Sequence, residues 1–213
     1  MARHRKGRDA RSYARRGSMR EPYELVLIAC EGGKSEPNYF TRLCSVYRLS
    51  NANVRIVSPS GTDPMSVVSY AEDRMAADGY DRAFCVFDRD RHAYYDEAIT
   101  RIANSAAGSA GRLVAITSWP CFEVWVLLHF RYSTAPFTES GKDSACDKVV
   151  KEVKKHLADY DKGYQALYDQ LAALMDGAIS NAERLERHNS DTTSNNPATK
   201  VHRLVDYLRK LKS

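Results

Sequence analysis

Apolar positions along the chain follow two alternating rhythms. Residues 24–30 (ELVLIAC), 54–57 (VRIV), 82–87 (RAFCVF) and 113–117 (LVAIT) are short runs rich in β-branched and apolar side chains. Runs of this length and make-up predict strands buried on both faces. Between them the apolar residues fall at helical spacing. A helix is predicted over 38–47, with Ser35 as N-cap and Pro37 near the first turn, and another from Pro64 to about residue 77, capped by Asp63. The second of these carries Met65, Val68, Ala71 and Met75 on one stripe. A third, over 93–106, places Tyr94, Ala98, Ile99, Ile102 and Ala106 on one side. Strands separated by helices of this size predict βαβ units, hence an α/β fold with a mostly parallel four-stranded sheet.

Beyond Pro120 the rhythm changes. Residues 121–130 (CFEVWVLLHF) form an apolar run with Glu123 and His129 embedded, which predicts a buried helix. The polar stretch 133–143 separates it from helical patterns over 144–159 and 162–187. In the latter, Tyr164, Leu167, Leu171, Leu174, Ala178, Ala182 and Leu185 share a face. A polar loop is predicted over 188–196, then a last helix from Pro197 with Val201, Leu204, Val205, Leu208 and Leu211 on one stripe. The pattern therefore divides the chain into a tail (1–20), an α/β domain (21–130) and a helical C-terminal subdomain (131–213) packed on it. Internal repeats are absent.

Charge refines this picture. Residues 1–20 hold eight Arg and Lys against one Asp, a net of +7, whereas the remaining 193 carry 24 basic and 26 acidic side chains, a net of −2. The basicity is thus a tail, which cannot bury apolar area by itself. Its functional reading is counterion-releasing contact with nucleic-acid phosphates; its plain reading is a solubilising segment or one that docks on an acidic partner. No apolar run reaches the ~18 residues of a membrane span, and no apolar stretch follows the basic N-terminus as in a secretory signal. The five cysteines, Cys30, Cys44, Cys85, Cys121 and Cys146, are odd in number and lack a Cys-x-x-Cys spacing. That predicts free thiols in a reducing, cytoplasmic compartment and argues against a zinc site.

Chemistry concentrates at the strand ends. In open parallel sheets, ligands bind beyond the carboxyl ends of the strands. Glu31 follows the first run, and Asp88-Arg89-Asp90-Arg91 follows the third. Carboxylates spaced Asp-x-Asp repel unless a cation, an arginine or water relieves them. A hard ion such as Mg²⁺ takes oxygen ligands and keeps several waters, so Asp88 and Asp90 with Glu31 would suffice. Glu31 is alternatively a general acid/base. The plain reading of the Asp-Arg-Asp-Arg turn is a solvated loop with internal ion pairs; the functional one makes Arg89 and Arg91 substrate contacts.

Gly32-Gly33-Lys34-Ser35 resembles the end of a phosphate-binding loop, but the required earlier Gly is replaced by Ile28, which excludes a Walker-type NTPase. Lys34 remains a charge partner for a phosphate. Glu123 is costly to bury unpaired, so it is either a further site carboxylate or a cap or ion-pair partner. His129, about 240° around the helix from Glu123, reads as a satisfied core residue.

Four blocks in order, ELVLIACEGGKSEPNYF, FCVFDRDRH, TSWPCFEVWVLLHF and NPATKVHRLV, together with YDKG at Tyr160–Gly163, resemble those of RloB-like proteins. The resemblance runs from about Tyr23 to the C-terminus. RloB-like proteins occur near bacterial restriction–modification and abortive-infection loci and look like members of the Toprim superfamily. The resemblance implies a Toprim-like (Rossmann-like) three-layer fold with a Glu after the first strand and Asp-x-Asp after a later one. It also implies a metal-dependent (Mg²⁺ or Mn²⁺) endonuclease acting on DNA or RNA in phage defence, with Glu31 as the acid/base or metal-linked Glu and Asp88 and Asp90 as the metal ligands; Glu123, read from its place in the apolar run, is the further candidate catalytic carboxylate. The alternative it leaves is a catalytically silent nucleic-acid-binding or regulatory partner of an ATPase. Many relatives read Glu-Gly-Glu-Lys where this chain has Glu31-Gly32-Gly33-Lys34, so a second carboxylate is missing at Gly33; Glu36 and Glu123 are the candidates to replace it.

Overall fold

The computed structural model describes residues 24–61, 63–89 and 94–211. The basic segment 1–20, Asp90 and Arg91 lie outside the described residues.

The four apolar runs pair in parallel as β1 (Val26–Cys30), β2 (Val54–Val57), β3 (Arg82–Asp88) and β4 (Leu113–Trp119). A fifth, two-residue strand, β5 (Ala198–Thr199), joins antiparallel to β4, and the sheet order is β2-β1-β3-β4-β5. The chain moves from β1 outward to β2 and then crosses back to place β3 on the other side of β1. That reversal is the topological switch at which an open parallel sheet leaves a crevice.

Strand alternation sorts the core. Val26, Ile28, Cys30, Phe84 and Val86 face one helical layer, and Leu27, Ala29, Ala83, Cys85 and Phe87 face the other. The second layer is α2 (Pro64–Asp78) and α3 (Tyr95–Asn104), followed by the short α4 (Ala106–Ser109). Asp63 caps α2 as predicted, accepting from the Ser66 N–H at 3.0 Å, and Gly79 ends it in the left-handed region. The first layer is α1 (Ser35–Val46), α5 (Glu123–Leu128), α6 (Ala145–Lys154), α7 (Leu167–Leu171), α8 (Met175–Thr192) and α9 (Val201–Lys210).

Four of the boundaries differ from the sequence expectation. Ser35 does not cap α1; its hydroxyl instead accepts from the Gly163 N–H at 3.1 Å, and Lys34 occupies the cap position. That docking, with Asn38 Nδ2 donating to the Gly163 carbonyl at 3.2 Å, holds the 160–163 loop on α1. Gly163 has φ +93°, so the helix expected from 162 begins only at Leu167. At the other end, α8 continues through part of the expected polar loop and stops at left-handed Thr193. The last helix starts at Val201 rather than at Pro197, because residues 198–199 pair with β4 and the Lys200 N–H donates to the Thr117 carbonyl. The Asn196 side chain is meanwhile taken up by both backbone groups of Phe137.

Trp125, fully buried in the middle of α5, joins the sheet to the C-terminal helices. Trp125→Ala is expected to cost about 3–5 kcal/mol of stability in urea denaturation, and Trp125→Phe clearly less. A loss under about 1 kcal/mol for the alanine variant would contradict a central place for α5 in the core.

Candidate active site

The switch between β1 and β3 opens into a cleft of about 500 Å³. Pairing carries one residue past β1, since the Glu31 N–H donates to the Val86 carbonyl at 2.9 Å. Its side chain turns across to β3, where Oε2 accepts from the Asp88 backbone N–H at 3.2 Å. The ends of two adjacent strands thus bring Glu31 and Asp88 together. Glu36, in the first turn of α1, folds back over Gly32; a Cβ at Gly32 would overlap the Glu36 carboxylate and push it aside. Gly33 faces open space, so the absence of a carboxylate there is not a steric requirement. Glu123 opens α5 and reaches the cleft from behind, only 2% exposed. Tyr160 donates to its Oε1 at 2.9 Å, and the Cys146 thiol donates to Oε2 at 3.7 Å. Lys34, Lys162 and Phe122 line the same cleft.

Crowding these carboxylates in a poorly solvated space changes their protonation. Burial pushes the Glu36 carboxyl up from 4.5 to about 7. Its own backbone N–H and Lys162 oppose that rise, while the Glu123 and Glu31 charges add to it. Burial also drives Asp88 well above the carboxylate range, reinforced by Glu36 and Glu123 and opposed by a hydrogen bond from the Phe122 backbone. As a residue Asp88 is half-buried, but its carboxyl is the enclosed part. For Lys162, burial favours the neutral amine, yet the charges of Glu123 and Asp88 outweigh it and hold the ammonium form. The like charges that help raise both carboxyls are what a bound cation would relieve.

Of the residues singled out in the sequence, the structure brings Glu31, Asp88, Glu123 and Lys34 to one cleft. Arg89 stands apart: its N–H continues the β3–β4 pairing to the Ser118 carbonyl, and its guanidinium lies 4.1 Å over Trp119 and 5.0 Å from the Tyr95 ring centre. Asp90 and Arg91 lie outside the described residues. His129 is a core residue, its Nδ1 2.9 Å from the Trp125 carbonyl and its ring lowered by burial to about 4, hence neutral. Sequence reasoning did not single out Lys162 and Tyr160 for roles; they sit in the YDKG block, and only Gly163 within it hinted at a loop. Nor did it pair Cys121 with Cys146, which are 25 positions apart.

The fold and the cleft define a class of protein: a mostly parallel α/β domain that gathers carboxylates where two adjacent strands end. Residues 26–208 match the family model described as RloB-like protein, and the chain belongs to the RloB-like family. No curated protein and no solved structure matches the chain.

The Glu36 carboxyl binds its proton more tightly when folded than when unfolded. Between about 4.5 and 7 the folded state therefore holds more protons, and stability falls as pH rises through that window. Glu36→Gln is expected to flatten this dependence, leaving the part due to Asp88. Urea midpoints measured across the window for both proteins check it; equal slopes would contradict the assignment.

Proposed function

We propose that this chain is a Toprim-type, metal-dependent nuclease that hydrolyses nucleic-acid phosphodiesters, with a role in bacterial phage defence. The observation that carries the reading is the convergence of Glu31, Glu36, Asp88 and Glu123 with two lysines at the switch of a parallel sheet. A protein that only binds polyanions gains nothing from clustered carboxylates. The donor set fits a hard cation: Asp88 and Glu31 offer oxygen ligands, and Asp90 follows two residues after Asp88. These three would hold Mg²⁺ or Mn²⁺, which when bound supplies a Lewis acid for the phosphate and a more acidic water.

The chain's own groups divide the remaining work. Glu31, oriented by the Asp88 N–H, and Glu36, titrating near neutrality, are placed to move a proton between water and a leaving oxygen. Lys34 and Lys162 meet the phosphate from the open side. Arg91 and the basic segment 1–20 extend that contact along the nucleic acid, DNA or RNA. The alternative, a silent binding or regulatory partner of an ATPase, draws on one observation: Glu36 and Glu123 are only 6% and 2% exposed, which narrows access to the carboxylates.

Cleavage of a panel of tRNA, single-stranded RNA, plasmid and single-stranded DNA with Mg²⁺ or Mn²⁺ tests the reading. Cutting is expected to need metal and to drop by a factor of ~10² or more in Asp88→Asn and Glu31→Gln. A folded wild type that cuts nothing, alone or with an ATPase partner, would favour the alternative.

A further inference from the structure

Behind the carboxylate cleft lies a second donor set of different chemistry. Cys121 Sγ, Cys146 Sγ and a Glu123 carboxylate oxygen all lie within 4.8 Å of one another, and all three residues are buried. Chain topology makes the cluster. Glu123 is the first residue of α5, Cys121 stands two residues before it, and Cys146 is the second residue of α6. The start of α6 is fixed by a capping box in which Ser144 and Asp147 satisfy each other's backbone N–H groups. The Cys146 thiol is therefore held on a capped helix, where it donates to Glu123 Oε2 at 3.7 Å.

We propose that Cys121, Cys146 and Glu123 form a thiolate site for zinc, a structural clasp between the entry to α5 and the first turn of α6 that adjoins the cleft through Glu123. Two sulfurs and one carboxylate oxygen select Zn²⁺ or Co²⁺ over Mg²⁺. Zn–S bonds of ≈2.3 Å in a tetrahedron put the two sulfurs about 3.8 Å apart, within a small side-chain adjustment of the observed cluster. The surroundings orient the ligands. Tyr160 holds Glu123 Oε1 and so presents Oε2, the oxygen facing the Cys146 thiol, as the ligand atom. A water completes the coordination.

The charges balance. Binding releases both thiol protons to solvent, and two thiolates, one carboxylate and Zn²⁺ leave a single negative charge, beside which Lys162 stands. Glu123 then belongs to the clasp, and Glu31, Glu36 and Asp88 remain to the cleft. The inference stands whether or not the chain cuts nucleic acid.

The test uses the full chain, purified with reductant, stripped by a chelator and titrated with Co²⁺. One equivalent is expected to produce sulfur-to-cobalt charge transfer in the near ultraviolet and the visible bands of a tetrahedral site. Zn²⁺ should bleach both, and excess Mg²⁺ should leave them unchanged. Cys146→Ser is expected to weaken Co²⁺ binding roughly tenfold or more, since loss of a ligand costs at least as much as loss of its orienting partner. Cys44→Ala, outside the cluster, should retain the full spectrum. Folded, reduced wild type with no charge-transfer band would overturn the proposal. So would a band that Cys44→Ala removes, or a Cys121–Cys146 pair that mass spectrometry finds disulfide-bonded and that stays inert to Co²⁺ after reduction.

Discussion

Carboxylates at the ends of neighbouring strands repel one another, and this chain holds Glu31, Glu36, Asp88 and Glu123 in one cleft. Everything around the cleft answers that repulsion. The Asp88 N–H is spent on Glu31, the Phe122 backbone on Asp88, and the Tyr160 hydroxyl on Glu123. Where hydrogen bonds do not suffice, protons do: burial among like charges lifts Glu36 and Asp88 so that a proton takes the place of a cation. An arrangement so unfavourable to the apo protein is the expected signature of a site that completes itself with a positive ligand.

The C-terminal half takes part in that answer. The 160–163 loop lies on the first turn of α1 through Ser35 and Asn38, and this docking delivers Tyr160 and Lys162 to the carboxylates. Strand β5 and helix α9 join the same sheet and the same core as α1 and α5. A change in the docked loop therefore reaches the cleft directly. Gly163, left-handed and close against the Lys34 side chain, is the residue on which the fit turns.

Much of the sheet was legible because strand runs buried on both faces leave a strong apolar signal, and β2 falls on the predicted residues. Asp63-Pro64 likewise announced α2 through local capping chemistry. Two of the misses share a cause, a partner far along the chain. Ser35 looks like a cap until Gly163, 128 positions later, takes its hydroxyl. Residues 198–199 look like the start of a helix until β4 pairs with them. In the site, Glu31 and Asp88 were readable as residues following strands, whereas Lys162 and the Cys121–Cys146 juxtaposition required the packing of α5, α6 and the docked loop. For Arg89, the sequence shows a cation beside two aspartates, and only the fold shows that its guanidinium lies over Trp119.

The proposed function requires that the β1–β3 cleft bind a hard divalent cation through its carboxylates. Electron paramagnetic resonance of Mn²⁺ titrated into the full chain near neutral pH checks that requirement. The free-ion signal is expected to be quenched stoichiometrically by the wild type and restored by excess Mg²⁺. Asp88→Asn is expected to leave the signal free. A wild type that is folded by circular dichroism and leaves the Mn²⁺ signal unchanged would contradict it.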